Sequence, residues 1–594
     1  MKASEKKIIN LRIMTVAAFF AVFFSIIAAR AVYLQVFCRP DLSLKAISQY
    51  ERFFTSSGRR GTIYDIRGRE MAVTVDDIKS VGAHPSNISD HAATADALAG
   101  KLDIDPRTLR KKLRSSSSFI WIKRQLTPRE TKDIRELNID GIDFIQTHKR
   151  FYPNGMLAAQ LLGFTGIDGQ GLEGLESYYG RFLRGSKSRF RVLRDALGRK
   201  IFGTREIEDG ESGRKKMLVE LAKDYSGNSL ILTIDRSIQF IAENALREAV
   251  MKFSAKSGIS IVMEPKTGAV LALAHFPLFN PNVFSNFDRD HWRNKAVTDS
   301  FEPGSTMKIF SAAAALSSGS CTPGTIFFCE KGAYRIGDDV IHDTRPHGWL
   351  TLSSIIKYSS NIGIVKTAEI VGAGELHRTL SRFGFGKKTG IDCPGETSGT
   401  LSPYKRWSKI DEGAIAFGQG MSASAIQLAS AVSALANDGK LMKPYVVQAI
   451  TDQEGHPVQT FAPVRVRQAV SAKTARTVKK MMRAVVEEGG TGVKAALKGY
   501  AVCGKTGTAQ KINRKKGTYA EGKYVSSFVG IVPEEKPRLA IVVIIDEPRE
   551  EHYGGTVAAP VFRKIAHEVL NYINIPPRRG NDKLTVSLEE WING

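Results

Sequence analysis

An apolar run close to the N-terminus restricts the possible architecture of this chain more than any other part of its sequence. Between Arg12 and Arg30 the sequence IMTVAAFFAVFFSIIAA holds 17 residues and no charge, and residues 31–37 continue mostly apolar. About 20 apolar residues are needed for a helix to cross the hydrocarbon of a bilayer, and the charged end of Arg30 can extend to the interface. The run therefore predicts a transmembrane anchor over residues 13–37.

A cleaved signal peptide is the alternative interpretation of this segment. The hydrophobic part of such a peptide usually runs for about 7 to 15 residues and ends at a cleavage site made of small residues. Here Ala29-Arg30-Ala31 is a poor cleavage site, and the apolar stretch continues beyond it. These two observations favour an uncleaved anchor.

Basic residues around the segment predict its orientation. Four of them precede it, namely Lys2, Lys6, Lys7 and Arg12. Because positive flanks stay on the cytoplasmic side, we expect residues 1–12 to form a cytoplasmic tail and everything after residue 37 to be exported. Arg30 and Arg39 weaken this asymmetry without reversing it.

Length and composition narrow the protein class. The chain has 594 residues, which suggests two to four domains at roughly 100 to 200 residues each. Its net charge of +25 favours anionic partners. However, the sequence contains no zinc-type Cys/His spacing and no RNA-binding motif, so nucleic acid is not expected as a partner.

The five cysteines are few for an exported protein, so the core must come from apolar burial rather than from disulfides. Cys321 and Cys329 lie eight residues apart in a loop bounded by Gly and Pro. They could form a disulfide, and two separate buried thiols are an equally good interpretation.

Two regions with different patterns follow the anchor. Residues 38–225 alternate short strand-like runs with charged helices, and the segment 206–216 (EIEDGESGRKK) predicts a boundary or hairpin before a new domain. From 226 to 578, strands come first, a long helical region follows, and strands return at the end. This order predicts an α+β fold with one sheet built from both ends of the domain and covered by helices. Residues 579–594, which follow Pro576 and Pro577, are predicted to form a polar C-terminal tail.

A serine three residues before a lysine marks the start of the helical region. Pro303-Gly304 supplies a turn, and STMKIFSAAAAL has the spacing of a buried helix, which places Ser305 in its first turn. Free backbone N–H groups and the helix dipole favour negative charge there. Lys308 lies on the same face, and a desolvated lysine can lose its proton near neutral pH and accept one from a serine.

This spacing alone carries little weight. It recurs in four other places, at Ser4, Ser212, Ser354 and Ser402. A helix-capping serine followed by an exposed lysine is the ordinary interpretation of such a pair.

Two further stretches favour chemistry at Ser305. KYSSNIG places Ser359 and Asn361 two residues apart in a predicted break between helices. CGKTGTA places four residues on a predicted strand where glycines permit close approach of a ligand, namely Lys505, Thr506, Gly507 and Thr508. Lys-Thr-Gly also begins at Lys266, in a predicted hairpin turn, and at Lys388, in a predicted loop, so the tripeptide alone is not informative.

Ser-x-x-Lys, Ser-x-Asn and Lys-Thr-Gly-Thr, in this order, are typical of the serine acyltransferases that bind penicillin. The chain resembles the class B penicillin-binding proteins over nearly all of its exported region. RRGTIYDIRGREMA (59–72) and RFYPNGMLAAQLLGFTGIDGQGLEGLE (150–176) resemble segments of the non-catalytic domain of that family, and LTIDRSIQ (232–239) resembles the start of its transpeptidase domain. Cys503 departs from the alanine that the family often has at this position.

The resemblance implies D,D-transpeptidation of peptidoglycan with no metal or organic cofactor. Ser305 would attack the D-Ala-D-Ala carbonyl of one stem peptide and expel the last D-alanine, and an amine of a neighbouring stem would then take the acyl group. Lys308 would be the general base. Three histidines lack ligand spacing and are interpreted as ordinary residues, namely His275, His342 and His347.

The same resemblance implies the supporting roles around the nucleophile. Ser359 would return the proton to the leaving amine, and Asn361 would bind the amide of the donor. Lys505 would lower the pKa of Lys308 through its positive charge.

The strand would complete the pocket. Thr506 and Thr508, on either side of Gly507, would hold the terminal carboxylate of the substrate or of penicillin. Backbone N–H groups of Ser305 and Thr508 would form the oxyanion hole, at ~3 to 4 kcal/mol of barrier per donor.

The resemblance also implies a cell-envelope setting. The protein would be a single-pass protein of the bacterial inner membrane, with residues 38–225 as a non-catalytic pedestal (dimerisation-type) domain and 226–578 as the transpeptidase domain in the periplasm. No glycosyltransferase module is evident before residue 225. Glycan polymerisation would come from a polytopic SEDS-type (FtsW-like) glycosyltransferase, contacted through helix 13–37 and the pedestal, beside other divisome proteins.

Several alternatives stay open at this point. The length, the short tail and the RAVYLQ exit from the membrane favour the division branch over an elongation- or sporulation-specific paralogue. A β-lactamase or β-lactam sensor seldom needs a region as long as 38–225. An inactive scaffold does not explain intact Ser305, Lys308, Asn361 and Lys505.

Overall fold

The computed structural model describes residues 3–38, 51–185, 187–194, 200–207, 216–217, 226–513 and 518–577. The described residues form two compact units, of which the first comes from Met1–Gly58 and Gly185–Tyr225 and the second from Arg59–Arg184 and Ser226–Gly594. The range 38–225, predicted as one pedestal, therefore contributes to both units. Ser212 and the predicted tail 579–594 lie outside the described residues.

The first unit begins with a long exposed helix. It covers Ala3–Val32 and continues as a π-helical turn over Tyr33–Phe37. Within Lys7–Phe37 a window of 18 residues has a mean hydropathy of 2.2, and none of that window is buried within the protein. This helix is long and apolar enough to cross a membrane, and it includes the predicted anchor 13–37.

The described strands of the first unit form a four-stranded antiparallel sheet. Its strands lie in the spatial order Glu51–Ser57, Lys187–Arg194, Lys200–Ile207 and Lys216–Met217.

In the second unit, residues 59–184 form a small α+β region. Its central strand, Glu70–Ala83, pairs antiparallel with Ile63–Tyr64, Ile120–Lys123 and Ile142–Phe151. The helices of this region are His91–Leu102, Pro106–Leu113, Pro128–Glu136, Ala159–Leu162, Gly174–Tyr178 and Gly180–Leu183. The first three cover one end of the sheet and enclose a core that includes Leu98, Leu109 and Ile134.

This region shares a sheet with the residues that follow position 225. Ile63–Tyr64 pairs in parallel with Ser229–Leu232, which in turn pairs antiparallel with Val447–Thr451, and Pro457–Thr460 closes that edge. The boundary predicted near residue 225 is therefore crossed by a continuous hydrogen-bonded ladder.

Two of the family-like segments, 59–72 and 150–176, meet at one buried ion cluster, which we call the arginine triad (Arg60, Glu176 and Arg150). The carboxylate of Glu176 is fully buried and accepts from Arg60 Nε at 2.5 Å and from Arg150 Nε at 2.6 Å. Tyr152 adds its hydroxyl at 3.3 Å. Burial by itself would raise the pKa of Glu176, but the two guanidinium groups hold that pKa below its ordinary value.

The largest sheet of the second unit, which we call the central sheet, is antiparallel and five-stranded. Its strands lie in the spatial order Val270–Phe276, Ser257–Met263, Leu539–Asp546, Thr518–Val532 and Cys503–Asn513. Two strands thus come from the start of the region and three from its end, as predicted.

Helices cover both faces of the central sheet, which confirms the α+β prediction. On one face lie Lys308–Ser317 and Ala425–Ala436, and on the other lie Arg236–Lys252 and Ala559–Tyr572. Alternate residues of a strand point to opposite faces, so Val542 joins the first core and Val543 the second. Other helices of the region are Leu352–Tyr358, Asn361–Val371, Ala373–Arg382, Lys409–Ala416 and Ala472–Val486.

Short paired strands complete the region. They are Ser300–Phe301 with Ala423–Ser424, Ile326–Phe328 with Trp349–Thr351, Ala333–Ile336 with Asp339–His342, and Lys440–Met442 with Arg465–Gln468.

Candidate active site

Ser305 lies at the head of a buried helix. The residue belongs to a single 3-10 turn, Gly304–Met307, that runs directly into the α-helix Lys308–Ser317. The prediction placed Ser305 in the first turn of that helix, and the structure gives the turn 3-10 geometry. The side chain of Ser305 is half-buried, and among the described residues its Oγ makes no hydrogen bond, so the hydroxyl is available to a substrate.

Lys308 is fully buried one turn further along. Its Nζ donates to the backbone oxygen of Ser359 at 2.5 Å and to Asn361 Oδ1 at 2.7 Å, and it lies 3.2 Å from Ser359 Oγ. Burial lowers the pKa of Lys308 to about 7, against the opposing charge of Asp343. An appreciable fraction of this amine is therefore neutral near pH 7 and can accept a proton.

Lys505 reaches the same hydroxyl from the central sheet. Its Nζ donates to Ser359 Oγ at 2.8 Å and to the backbone oxygen of Thr506 at 3.2 Å. Burial lowers the pKa of Lys505 well below its ordinary value, and the charge of Lys308 lowers it further. Ser359 Oγ thus bridges two buried amines, which we call the lysine pair (Lys308 and Lys505).

Burial is the first cause of the lowered pKa of both lysines. The proximity of the two amines adds to this effect, because each positive charge opposes the ionisation of the other.

Ser359 and Asn361 occupy a sharp break between two helices, as predicted. Helix Leu352–Tyr358 ends at Ser359, whose φ of +66° is left-handed, and the next helix begins at Asn361. Non-glycine residues seldom adopt this conformation, and such strain is concentrated at functional sites. The Asn361 amide donates from Nδ2 to the backbone oxygen of His342 at 2.8 Å, which orients its Oδ1 toward Lys308.

Asp343 supports this break and was not identified from the sequence. Its carboxylate accepts from Ser360 Oγ at 2.6 Å, from the backbone N–H of Ile362 at 3.0 Å and from the backbone N–H of Asn361. A single aspartate in a loop 18 residues upstream has no sequence pattern that links it to the site, so only the folded chain reveals it.

The strand Cys503–Asn513 forms the open edge of the central sheet beside Ser305. A Cβ atom at Gly507 would lie 2.8 Å from Thr306 Cγ2 and 3.1 Å from the backbone oxygen of Pro303, so only glycine lets the strand lie this close to the serine turn. An edge strand has unpaired backbone groups that can bind an extended peptide.

The two threonines of this strand lie on its other face. Thr506 Oγ1 is 3.0 Å from Thr491 Oγ1, and Thr508 Oγ1 accepts from the backbone N–H of Gly554 at 3.1 Å. The turn, the helix break and the edge strand bring the three motifs together. The hydroxyls of Thr506 and Thr508, however, contact Thr491 and Gly554 on the face of the strand opposite to Gly507.

The competing motif matches lie elsewhere. Lys266 occupies the turn between two strands of the central sheet, and Lys388 lies in a loop, as predicted. Ser354 Oγ accepts from Thr351 Oγ1, and Ser402 Oγ accepts from Trp407 Nε1, so both hydroxyls have local structural partners.

The cysteines are single thiols in this structure. Cys321 and Cys329 are buried and unpaired, which matches the second of the two interpretations. Cys503 is fully buried in the core beneath the site, and burial raises its pKa well above the ordinary value. A buried, protonated thiol is chemically inert.

The three histidines that were interpreted as ordinary residues have different surroundings. His275 is buried and accepts from the backbone N–H of Ala296 at 3.2 Å, and burial lowers its pKa to about 3. His347 stacks on Tyr358 with ring centroids 5.5 Å apart, and His342 is exposed.

A nucleophile-bearing helix, a buried lysine pair and an open edge strand on this sheet define a serine acyltransferase. Comparison with protein families agrees with that class. Residues 258–567 match the penicillin binding protein transpeptidase domain, and residues 55–218 match the penicillin-binding protein dimerisation domain.

Individual proteins resemble this chain over nearly its full length. The probable peptidoglycan D,D-transpeptidase PenA of Neisseria meningitidis is 35% identical over 96% of this chain and 94% of its own. The peptidoglycan D,D-transpeptidase FtsI of Escherichia coli is 34% identical over 92% of this chain and 89% of its own. The crystal structure of penicillin binding protein 3 from Mycobacterium tuberculosis with aztreonam is similar at a TM-score of 0.67 and 27% identity, and the match covers 89% of this chain and 98% of that one.

The chain belongs to the penicillin-binding proteins, as a class B member of the FtsI type. It is thus a serine-type peptidoglycan D,D-transpeptidase, and β-lactams are ligands of the same fold. The N-terminal apolar helix fits a membrane anchor.

Proposed function

We propose that this protein cross-links the stem peptides of septal peptidoglycan through an acyl-enzyme on Ser305. The observation that supports this most strongly is the position of Lys308, whose buried amine lies one turn from Ser305 and within 3.2 Å of Ser359 Oγ. A neutral amine at that place can take the serine proton as Oγ attacks the carbonyl of the penultimate D-alanine.

Breakdown of the tetrahedral intermediate requires a proton on the leaving nitrogen. We assign this relay to Ser359, because its hydroxyl is in contact with both amines of the lysine pair. The proton taken by Lys308 passes through Ser359 Oγ to the departing D-alanine. The amine of a neighbouring stem then attacks the ester carbonyl and gives a proton to Lys308. Lys308 returns that proton to Ser305 Oγ as the ester C–O bond breaks.

Substrate binding is assigned to the edge strand and the helix break. Thr506 and Thr508, with Gly507 between them, hold the terminal carboxylate, and Asn361 holds an amide of the donor. Backbone N–H groups of Ser305 and Thr508 stabilise the oxyanion. At the start of a helical turn such an N–H has no intrahelical partner, and preorganised donors of this kind contribute about 3 to 4 kcal/mol each.

A labelling experiment tests the assignment of the nucleophile. Fluorescent penicillin should label the full-length protein covalently, and the adduct should map to Ser305 by mass spectrometry. Ser305→Ala should abolish labelling. Ser402→Ala, which removes the serine of another Ser-x-x-Lys sequence, is the matched control and should label normally. An adduct on a different side chain would refute the assignment, and rapid release of the label would favour a β-lactamase.

We propose that the membrane helix positions the enzyme in a division complex. Residues 1–12 form the cytoplasmic tail, 13–37 the anchor, 38–225 the pedestal, 226–578 the periplasmic transpeptidase domain and 579–594 the C-terminal tail. A SEDS-type (FtsW-like) glycosyltransferase supplies the glycan and contacts the anchor and the pedestal. The length and apolar composition of Lys7–Phe37 and the similarity to FtsI support this proposal.

Replacing the anchor tests the partnership. A neutral transmembrane helix of equal length should leave penicillin labelling intact and should impair division, seen as filamentous cells. Normal division with the replaced helix would contradict a role of the anchor in partner contact.

A further inference from the structure

A second carboxylate lies close to the nucleophile and has no part in the mechanism above. Glu302 precedes Ser305 by three residues and is half-buried. Its Oε1 accepts from the backbone N–H of Gly420 at 2.8 Å, and its Oε2 accepts from the hydroxyl of Tyr519 at 3.2 Å.

The surroundings of Glu302 place it at the margin of the site. The adjoining Gly304 donates its N–H to the backbone oxygen of Gly418 at 3.1 Å, so the segment before Ser305 lies along residues 418–420. Tyr519 lies on the strand that pairs with the edge strand, opposite Ile512. The carboxylate therefore lies where the serine turn meets the outer part of this hairpin.

Glu302 lacks a cationic partner among the residues that the structure describes. Both of its hydrogen-bond donors are neutral groups, and burial raises its pKa above the ordinary value. Glu176, in contrast, is buried against two guanidinium groups. A half-buried carboxylate without a cation gains free energy when a cation binds beside it.

We propose that Glu302, oriented by Gly420 and Tyr519, is a binding subsite for a primary ammonium group of the stem peptide. This inference rests on the proposed function. The cross-linking amine is an ammonium ion near neutral pH, because an alkyl amine has a pKa of about 10.4. It must approach a site that already holds the lysine pair, and a carboxylate three residues from the nucleophile offsets that repulsion.

The same ammonium chemistry has two sources. It can belong to the acceptor stem, which is bound at Glu302, loses one proton to solvent before its neutral amine attacks, and then passes the second proton to Lys308. It can also belong to the donor stem, when the side-chain amine of that stem is still free. Glu302 is a specificity residue in both cases, and the kinetic step that responds to its removal distinguishes them.

Glu302→Gln is the test variant. Glu302→Asp and Tyr519→Phe are the control variants, because both keep a negative charge at position 302. Purified full-length protein is assayed with a thioester donor peptide that carries a free or an N-acetylated side-chain amine, and with a diamino acid or D-alanine as acceptor. Benzylpenicillin, which has no amine, reports the integrity of the serine site in every variant.

In the donor case, Glu302→Gln lowers the preference in acylation kcat/KM for the free over the acetylated donor by about 10- to 100-fold. In the acceptor case, the KM for the diamino acid rises by that factor relative to D-alanine. Glu302→Asp retains most of either preference, since the charge is conserved.

Two results would overturn the inference. One is that Glu302→Gln lowers kcat/KM equally for the free and the acetylated donor, and equally for both acceptors. The other is a loss in benzylpenicillin acylation that accounts for the whole effect, which would make Glu302 a structural residue. Failure of the wild-type protein to be acylated by benzylpenicillin at all would instead refute the proposed function itself.

Discussion

The arginine triad and the lysine pair are two buried charge clusters of the same unit with opposite composition. In the triad, two guanidinium groups enclose the carboxylate of Glu176 at 2.5 Å and 2.6 Å. In the lysine pair, two amines converge on the neutral hydroxyl of Ser359. Opposite charges keep each other ionised despite burial, whereas like charges and burial act together to remove a proton.

The contrast shows how burial can serve the fold in one place and reactivity in another. The triad holds three distant chain segments together, and loss of one partner would leave a buried charge unpaired. The lysine pair opposes its own ionisation and thereby supplies a neutral amine near pH 7. Groups with strongly shifted pKa values are concentrated at functional sites for this reason.

The largest expected effect comes from removing the amine of the lysine pair that serves as base. Lys308→Met preserves the length of the side chain and should reduce the rate of acylation by benzylpenicillin by about 10²- to 10⁴-fold. The measurement is stopped-flow or quenched labelling of the purified protein. Acylation at the wild-type rate would show that Lys308 is not the base.

The same variant should not lose stability. The folded-state pKa of Lys308 is about 7, below its unfolded value, so the unfolded state binds more protons and protonation opposes folding below the unfolded pKa. Lys308→Met should therefore be at least as stable as the wild type at pH 6, with an advantage that shrinks as the pH rises from 7 toward 10. A clear destabilisation at pH 6 would contradict this account of the lysine pair.

Disrupting the arginine triad should reduce stability, in contrast to Lys308→Met. Glu176→Gln leaves two buried guanidinium groups without their counter-charge and should lower the free energy of unfolding by about 3 to 5 kcal/mol, measured by urea denaturation. The matched control is Glu173→Gln in the same GLEGLE segment, where the carboxylate is only partly buried, and its effect should stay within about 0.5 kcal/mol. Equal effects of the two substitutions would show that the ion cluster is not important for stability.

The pH dependence of acylation tests the charge that opposes the lysine pair. Because only the neutral amine accepts a proton, the rate should rise with pH through the Lys308 pKa of about 7. The negative charge of Asp343 raises that pKa, so Asp343→Asn should move the rising limb to lower pH. A movement to higher pH would show that the loss of the contacts to Ser360 and Asn361 outweighs the charge.

The smallest expected effect comes from Tyr152, whose hydroxyl contacts Glu176 at the edge of the arginine triad. Tyr152→Phe removes one hydrogen bond to Glu176, at 3.3 Å, and should lower the free energy of unfolding by about 0.5 to 1.5 kcal/mol. Benzylpenicillin acylation by the folded protein should not change. A loss as large as that of Glu176→Gln would mean that Tyr152 is a full member of the cluster.

Much of the site could be predicted because it depends on short spacings along the chain. Ser305 and Lys308 share one helical turn whatever the remainder of the fold does, and Gly507 marks a strand that lies close to another segment. The apolar run before Arg30 and the order of strands and helices after residue 226 likewise follow from local pattern.

The burial of those residues and the charges around them depend on the tertiary structure. Lys505 and Ser359 are 146 residues apart, Glu302 and Gly420 are 118 apart, and Arg60 and Glu176 are 116 apart. Burial and neighbouring charge set a pKa, and both are properties of the packed chain rather than of a motif. For this reason short spacings along the chain were enough to identify which side chains could react. Only the fold revealed that burial lowers the pKa of Lys308 to about 7, that Asp343 supports the helix break and that Glu302 has no cationic partner among the described residues.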